Sequence, residues 1–564
     1  MFETIYPEEE QHFFTNREHL LSLLSLSRDL LLQGVRKNLA LSGFRRVGKT
    51  LALKEFLRRC QLDKESSVQV AYIDLPRLSF TPETFAIQFL GYQLYWFCNP
   101  SPEQRPEAFF DPSLQLITVG QLGNHELITY FTRFHHELEK EKPDQHLLLE
   151  MAFNAPEVYA RAMKRKVMLL LDEIPEILSL NNYPQIRDSL GLFRSVLQSQ
   201  SHVGYVVAGS MIGLMERIFL QADSPLFVHF QMETVPPFGR GDSDTLVQKR
   251  LDLLSRPVPG EVLAAVYQVA RGHPFYTYAV CMHVIESVSL LQKPLDAATV
   301  QEAFTLETLG TNGRIYNLCR YFLEQSLKDV RGDTMPQAIL QVMGKEPGGM
   351  SLSEISTRLK RPSGPIHQVM NWLLDVDLIE QREDKTYVFR DPVLQIWVAY
   401  YYSGVELTGL PSQKVLSSLV AELMERYERT ANELGLAKES QVRELLQRFD
   451  GQEISGELLG LEGSLQLPTF SQVLPYLSPD GQVEVDDLAE GSERWVVEIK
   501  WRNKRVGIKE LHVLLQKAHG LNGRPWYISQ GGFTPEAESF ARENQILFSN
   551  RSQIETLRKT IMNL

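Results

Sequence analysis

The sequence predicts an α/β protein built from several compact units, and three observations carry that prediction. "LALSGFRRVGKTLALKEFLRR" sets an apolar strand, a glycine-bearing loop and an amphipathic helix in succession. "KRKVMLLLDEIPEI" contains a wholly apolar run, Val167 to Leu171, of the kind found in a parallel sheet covered on both faces. Near the other end, "GQVEVDDLAEGSERWVVEIKWRNK" (481–504) alternates polar and apolar residues on both sides of a glycine turn, the pattern of a half-buried hairpin. A chain of 564 residues exceeds a single core, and ~150 residues per domain predicts three or four.

Composition narrows the class. Apolar content of 43% and charged content of 23% suit a soluble globular protein. The apolar runs are short and broken by charge, so no membrane span is expected. The opening "MFETIYPEEE" is acidic and lacks an apolar stretch, so no signal peptide is expected and the cytoplasm is the expected location. Cys60, Cys98, Cys281 and Cys319 are scattered without paired spacing and read as reduced thiols. A net charge of −12 argues against nucleic-acid binding by the whole surface, so any such contact needs a local basic patch.

The first element is the loop Gly43-Phe44-Arg45-Arg46-Val47-Gly48-Lys49-Thr50, which fits GxxxxGK[ST]. Gly43 and Gly48 let backbone N–H groups curl around phosphates, Lys49 reaches the β and γ phosphates of ATP, and the Thr50 hydroxyl binds Mg²⁺. Arg45 and Arg46 are candidates for phosphate or interdomain contacts, or are solvated charges. "SVQVAYIDL" (67–75) and "VGYVVAGS" (203–210) supply further strands. Asp172 ends the apolar run where it can hold Mg²⁺, and Glu173 follows where it can orient an attacking water. Ser210 reads either as a polar sensor of the γ-phosphate or as the N-cap of "MIGLMERI".

Together, "FFTNREHLLSLL", "GFRRVGKT", "LLLDEIPEI", "VVAGS" and "RGHPFYTY" resemble the archaeal-type ATPases of the STAND branch of AAA+ proteins, over roughly residues 10 to 400. The resemblance implies that Phe14 and Arg17 line the adenine side. It also implies a helical lid in which "RGHPFY" (271–276), with His273, lies near the nucleotide. Members commonly carry a finger arginine where "SPLFVHF" here places His229, which speaks for slow turnover or nucleotide switching. Homo-oligomerisation is likewise implied by the resemblance.

Between the second and third strands, 95–160 reads as a helical insertion. "MPQAILQVMGKEPGGMSLSEISTRLKRPSGPIHQVMNWLLDVDLIEQREDKTYVFRD" reads as three helices and a two-stranded wing, a winged-helix arrangement. Its third helix offers only His367, Gln368 and Asn371 for base edges, after Lys360 and Arg361, so a structural or protein-contact role is favoured over direct reading.

The hairpin is the last element. Alternation puts Asp486 on one strand and Glu498 and Lys500 on the next, on one face, with Asp487 as the competing register. Two carboxylates so placed hold Mg²⁺ or Mn²⁺ against a phosphate oxygen, and Lys500 stabilises the crowded phosphate or the attacking hydroxide. With "AKESQVRELLQRF" as a helix, "EISGELLG" as a first strand and "GIKELHVLLQKAHG" as the following helix, the order α-β-β-β-α-β resembles the restriction-endonuclease-like core and its PD-(D/E)xK signature, over roughly 437–564. Glu439 and Gln516 occupy places of auxiliary residues in that family. The string "KWRNKR" (500–505) is the strongest local basic patch.

The expected architecture is therefore an α/β chain with a P-loop AAA+-like parallel sheet, a helical lid, a winged-helix domain and a C-terminal restriction-endonuclease-like α/β domain. Its divisions are 1–240 for the ATPase core with the insertion at about 95–160, 241–332 for the lid, 333–400 for the winged helix, 401–436 for a helical linker and 437–564 for the nuclease-like domain. The expected function is an ATP-regulated, Mg²⁺-dependent nuclease acting on nucleic acid, DNA foremost, in a defence or conflict system, with a protein trigger or partner and no membrane. The alternative is an ATP-dependent DNA-binding regulator or signalling scaffold with an inactive nuclease fold.

Overall fold

A computed structural model describes residues 5–63, 67–98, 105–328, 334–382, 385–409, 411–433, 436–478, 483–501 and 505–562. The chain divides into two compact units, Met1–Pro236 and Pro237–Leu564.

The first unit is organised by a five-stranded parallel sheet of β1 (Leu39–Ser42), β2 (Val68–Asp74), β3 (Lys166–Asp172), β4 (Val203–Gly209) and β5 (Gln231–Thr234), in the order β2-β3-β4-β1-β5. β1 and β4 are buried along their whole length, and β3 is buried after Lys166. Such strands need cover on both faces, which explains why their sequence reads as continuous Val, Leu and Ala rather than alternating. The edge strand β5 escaped the sequence reading because "QMET" is short and half-exposed. Between β2 and β3 stand the helices Pro82–Phe97, Pro112–Leu122, His125–Leu138 and Gln145–Met163. Asp111, Asn124 and Asp144 cap the last three by accepting backbone N–H bonds.

The second unit opens with the helices Arg240–Leu251, Gly260–Ala270, Pro274–Leu290, Ala297–Leu309 and Arg314–Ser326. The helices Thr334–Gly344, Leu352–Leu359 and Ser363–Asp375 follow, with an antiparallel sheet of β6 (Met350–Ser351), β7 (Ile379–Gln381) and β8 (Thr386–Phe389) in the order β6-β8-β7. One apolar core runs through all of these elements. The helix Gln413–Glu433, within the stretch read as a linker, adds Leu423, Met424 and Tyr427 to that core, and the Tyr427 hydroxyl donates to the Val269 carbonyl at 2.8 Å. The helix Gln413–Glu433 is therefore packed structure rather than a spacer.

After the helix Leu436–Gln447 comes a two-stranded ribbon, β9 (Glu453–Ser455) and β10 (Ser464–Gln466). A mixed sheet then runs in the order β11 (Phe470–Leu477), β12 (Glu484–Gly491), β13 (Arg494–Lys500), β14 (Arg524–Ser529) and β15 (Leu547–Asn550). β11, β12 and β13 pair antiparallel, and β13, β14 and β15 pair parallel. "EISGELLG" thus forms the separate ribbon, and the first strand of the sheet is Phe470–Leu477, hidden in the sequence by Pro475 and by a weak alternation. Two apolar clusters cover the sheet's two faces: Trp495, Val497, Ile499 and Trp526 lie in one, Val496 and Tyr527 in the other.

Candidate functional site

In the first unit, the loop that leaves β1 turns directly into the helix Lys49–Leu62. A side chain at Gly43 would bring its Cβ to 2.6 Å from the Val235 carbonyl oxygen, so the close approach of β5 requires glycine there. Gly48, with φ 106°, begins the helix in a backbone shape that other residues resist. Lys49 is only 4% exposed, and its ammonium donates to the carbonyls of Gly43 (2.8 Å) and Phe44 (3.0 Å). Burial pushes Lys49 down to about 8, against the pull of Glu173 and Asp172.

Although β4 separates β1 from β3, the Thr50 hydroxyl donates to Asp172 Oδ2 at 2.6 Å. The Tyr72 hydroxyl, from β2, donates to the same oxygen at 2.9 Å. Asp172 is 2% exposed, and its other carboxylate oxygen, Oδ1, has no hydrogen-bond partner among the described residues. A buried carboxylate oxygen left open beside a threonine hydroxyl fits the hydration shell of a Mg²⁺ ion. Glu173 sits in a left-handed backbone conformation, φ 56°. Its Oε2 accepts from both the amide and the hydroxyl of Ser210, each at 2.9 Å. Ser210 does not cap the next helix, which takes Met211 at that position.

Arg17 donates to the Val47 carbonyl at 2.9 Å, tying the N-terminal segment to the loop, and Phe14 packs half-buried on the same core. Arg45 is half-buried and lies in electrostatic range of Lys49 and Glu176, whereas Arg46 is exposed with φ 59°. His229 stands at the far end of β1: its own carbonyl accepts from Asn38, the residue before that strand, at 3.2 Å. The phosphate loop leaves β1 at the other end, after Ser42. His273 belongs to the second unit, where it precedes the helix Pro274–Leu290 and stacks on Tyr276 with centroids 4.3 Å apart.

In the second unit, the register of β12 on β13, in which Asp487 pairs with Val497, puts Asp486 on the face of Glu498, while a β-bulge interrupts the pairing with β11. Leu474 pairs with Leu488 and Tyr476 with Val485, so Asp486 and Asp487 together stand opposite Pro475. Proline has no N–H to lose from the ladder, which makes this a cheap place for the irregularity. Asp486 Oδ2 accepts the Ile499 amide at 2.5 Å. Lys500 Nζ lies 3.8 Å from Asp486 Oδ2 and 2.7 Å from Glu498 Oε1. Burial alone would lower the Lys500 ammonium, but Asp486 and Glu498 overrule it and hold it above its ordinary value. Asp487 turns to the other face, 0% exposed, and pairs with Arg443 at 2.6 Å. Burial raises its carboxyl to about 6, with Arg443 opposing.

Lys517, on the helix Ile508–Gly520, reaches Glu498 Oε2 at 3.3 Å. Sequence reasoning missed it and named its neighbour Gln516, which is exposed. The signal was available: Leu511, Leu514 and Ala518 form the buried stripe of that helix, and Lys517 lies three residues after Leu514, beside the stripe. Arg502, Asn503 and Lys504 of the basic string, and the side chain of Glu439, lie outside the described residues. Trp501 is 8% exposed and belongs to the core.

Two converging carboxylates offer hard oxygen donors suited to Mg²⁺ or Mn²⁺. Among the described residues there is no cluster of three or more His, Cys, Asp or Glu placed to hold an ion. Among the described residues, no helix is long and apolar enough to cross a membrane.

Residues 470–557 match a family model described as restriction endonuclease (Mrr_cat). No curated protein sequence matches the chain. Solved structures that this chain matches include the Walker-type ATPase of Pyrococcus abyssi, 16% identical, covering 69% of this chain and 96% of that one with a TM-score of 0.47. The ORC2 protein of Aeropyrum pernix in its ADPNP-ADP complexes is 13% identical, with coverages of 72% and 93% and a TM-score of 0.40. The ORC1 protein of Aeropyrum pernix in complex with DNA is 14% identical, with coverages of 69% and 93% and a TM-score of 0.37.

Proposed function

We propose that this chain, which joins a P-loop ATPase fold to a restriction-endonuclease domain, is an ATP-regulated, metal-dependent nuclease acting on DNA. The observation that carries the reading is the meeting of Asp486, Glu498 and Lys500 inside the segment that matches the endonuclease family. Asp486 and Glu498 are the residues that would hold Mg²⁺ or Mn²⁺. A bound divalent ion supplies an activated water and charge neutralisation at the scissile phosphate. Lys500 faces the negative charge that builds as water adds to phosphorus, in a half-buried setting where that attraction is strong. Lys517 keeps Glu498 oriented from the other side.

In the ATPase unit, Lys49 gives up its carbonyl bonds to the triphosphate, and Thr50 with Asp172 would hold Mg²⁺. Phe14 and Arg17 are assigned to the adenine side, Arg45 and Arg46 to the phosphate rim, and His273 to the lid. Glu173 is the base-side residue, and Ser210 is its partner in sensing the γ-phosphate. ATP then acts as a switch on the nuclease, a logic suited to a defence system whose nuclease stays off until triggered. The three helices and small sheet of 334–389 are read as a winged helix, exposing His367, Gln368 and Asn371. Assembly into a homo-oligomer belongs to the same reading.

The test is incubation of the purified protein with plasmid, linear DNA and RNA, with and without ATP, Mg²⁺ and Mn²⁺. Cleavage is expected for the wild type and not for Asp486→Ala combined with Glu498→Ala. If the wild type leaves every substrate intact under all these conditions, the nuclease reading fails. If Lys49→Ala still binds ATP with unchanged affinity, the nucleotide site is misassigned.

A further inference from the structure

Opposite the nucleotide loop, at the start of β3, lies a concave surface of about 430 Å³ lined by Ser67, Arg161, Lys164, Arg165, Lys166 and His202. β3 runs from Lys166 to Asp172, a span of ~20 Å at ~3.3 Å per residue, so this face is remote from the Thr50–Asp172 pair. Two of its basic side chains are held by carboxylates: Arg161 pairs with Glu126 at 2.8 Å, and the His202 ring meets Glu157 at 2.7 Å. The other three are not. Arg165 donates to the neutral amide oxygen of Gln69 at 3.1 Å, and Lys166 donates to the Ser201 carbonyl at 3.3 Å. Lys164 has no side-chain partner among the described residues, and it holds a left-handed backbone, φ 51°, that carries the chain out of the helix Gln145–Met163.

A cation at the carbonyl end of a helix is ordinary, and one of these residues is explained in that way. Three consecutive unneutralised cations around a single concavity, on a chain of net charge −12, are not. Lys164 and Arg165 are exposed, so the rim is open and suits a continuous polyanion running across it. Mixed Lys and Arg on a shallow open face neutralise phosphates without reading bases.

We infer that the surface formed by Lys164, Arg165 and Lys166 binds the phosphodiester backbone of nucleic acid, independently of sequence. This inference rests on the nuclease reading for its choice of polyanion. Because ATP and nucleic acid then occupy opposite ends of one strand, the two bind without competing.

Each phosphate contact contributes ~0.9 to the slope of log affinity against log salt on duplex DNA, so three contribute about 2.7. At ~0.1 M salt that corresponds to about 500-fold in affinity. The experiment measures binding of a labelled DNA duplex, and of a labelled RNA, to the full chain in EDTA across a KCl series. The variant is Lys164→Gln, Arg165→Gln and Lys166→Gln together, with Lys140→Gln, Lys142→Gln as a control that removes two positive charges elsewhere, and ATP affinity as the check on folding. The expected result is a slope smaller by about 2–3 in the triple variant only, with ATP affinity retained. If the wild type cuts DNA while the triple variant keeps both slope and affinity, this inference is overturned and the nuclease reading stands. If the slope falls but the wild type never cuts, the surface is real and the nuclease reading fails. A wild type that binds neither DNA nor RNA overturns the inference as well. Should Lys166→Gln disturb β3, the pair Lys164→Gln, Arg165→Gln gives the same reading with a slope change of about 1.8.

Discussion

Replacing Arg443 by methionine strands the Asp487 carboxylate in the core of the nuclease-like domain. Asp487 is fully buried, Arg443 pairs with its Oδ1 at 2.6 Å, and its Oδ2 has no hydrogen-bond partner among the described residues. Removing one member of a buried ion pair costs about 3–5 kcal/mol, since the remaining charge is neither hydrated nor paired. In a domain of this size that lowers the melting transition by roughly 10–20 °C. Replacing both partners with apolar residues, Arg443→Met with Asp487→Leu, is expected to recover most of the loss. The pH dependence supplies a second signature. Asp487 has its folded value raised to about 6 from 3.8, so the native state binds that proton more tightly than the unfolded chain. Its contribution is therefore fully present below pH 3.8 and is lost as pH rises through 6, about 3 kcal/mol in all. Without Arg443 the value rises further, so the variant's deficit is smaller at pH 5 than at pH 8. Thermal melting of the wild type, both single variants and the double variant at the two pH values closes the cycle. A single variant that melts within a degree or two of wild type, or a double variant no better than Arg443→Met, refutes the reasoning.

Three further outcomes follow from the geometry. Lys49 is depressed to about 8, and a bound triphosphate restores its charge, so ATP binding takes up a proton near pH 8 and affinity falls about ten-fold between pH 7 and 9. Calorimetry in buffers of different ionisation enthalpy reads that proton directly, and a flat affinity profile contradicts the burial of Lys49. Lys517→Gln is expected to raise the divalent-ion concentration needed for half-maximal cleavage by about 10–100-fold, as losing a bond that orients a metal-holding carboxylate does, with Lys517→Arg recovering part of it. Tyr276→Phe removes the hydroxyl that donates to half-buried Asp391, and about 1.5–3 kcal/mol of stability, read by denaturant unfolding; an unchanged midpoint counts against that bond.

Much of the fold was legible because its signals are local. A glycine loop between an apolar strand and a helix, and a five-residue apolar run ending in Asp172-Glu173, each fit inside one element and name their own environment. The misses share the opposite property. β5 is four residues long at a sheet edge, and the first strand of the second sheet carries Pro475, so neither has a period long enough to register. "EISGELLG" was placed in the wrong sheet because strand pairing is a non-local choice that alternation cannot make. Lys517 was passed over for Gln516, since one residue on a helix turns the side chain by about 100° and only the packed neighbours show which way.

By itself the sequence determined the chemistry available: a lysine and threonine after a flexible loop, an acid at a strand end, two acids and a lysine on adjacent strands. Tertiary structure decided which of these groups meet. Thr50 and Asp172 lie 122 residues apart in sequence and are joined across an intervening strand. Asp487 pairs in unbroken register with Val497 of β13, which sets Asp486 on the face of Glu498 and Lys500 and turns Asp487 toward Arg443, as the alternation predicts. Residue types are written along the chain, whereas distances between carboxylates are set by how its strands pair.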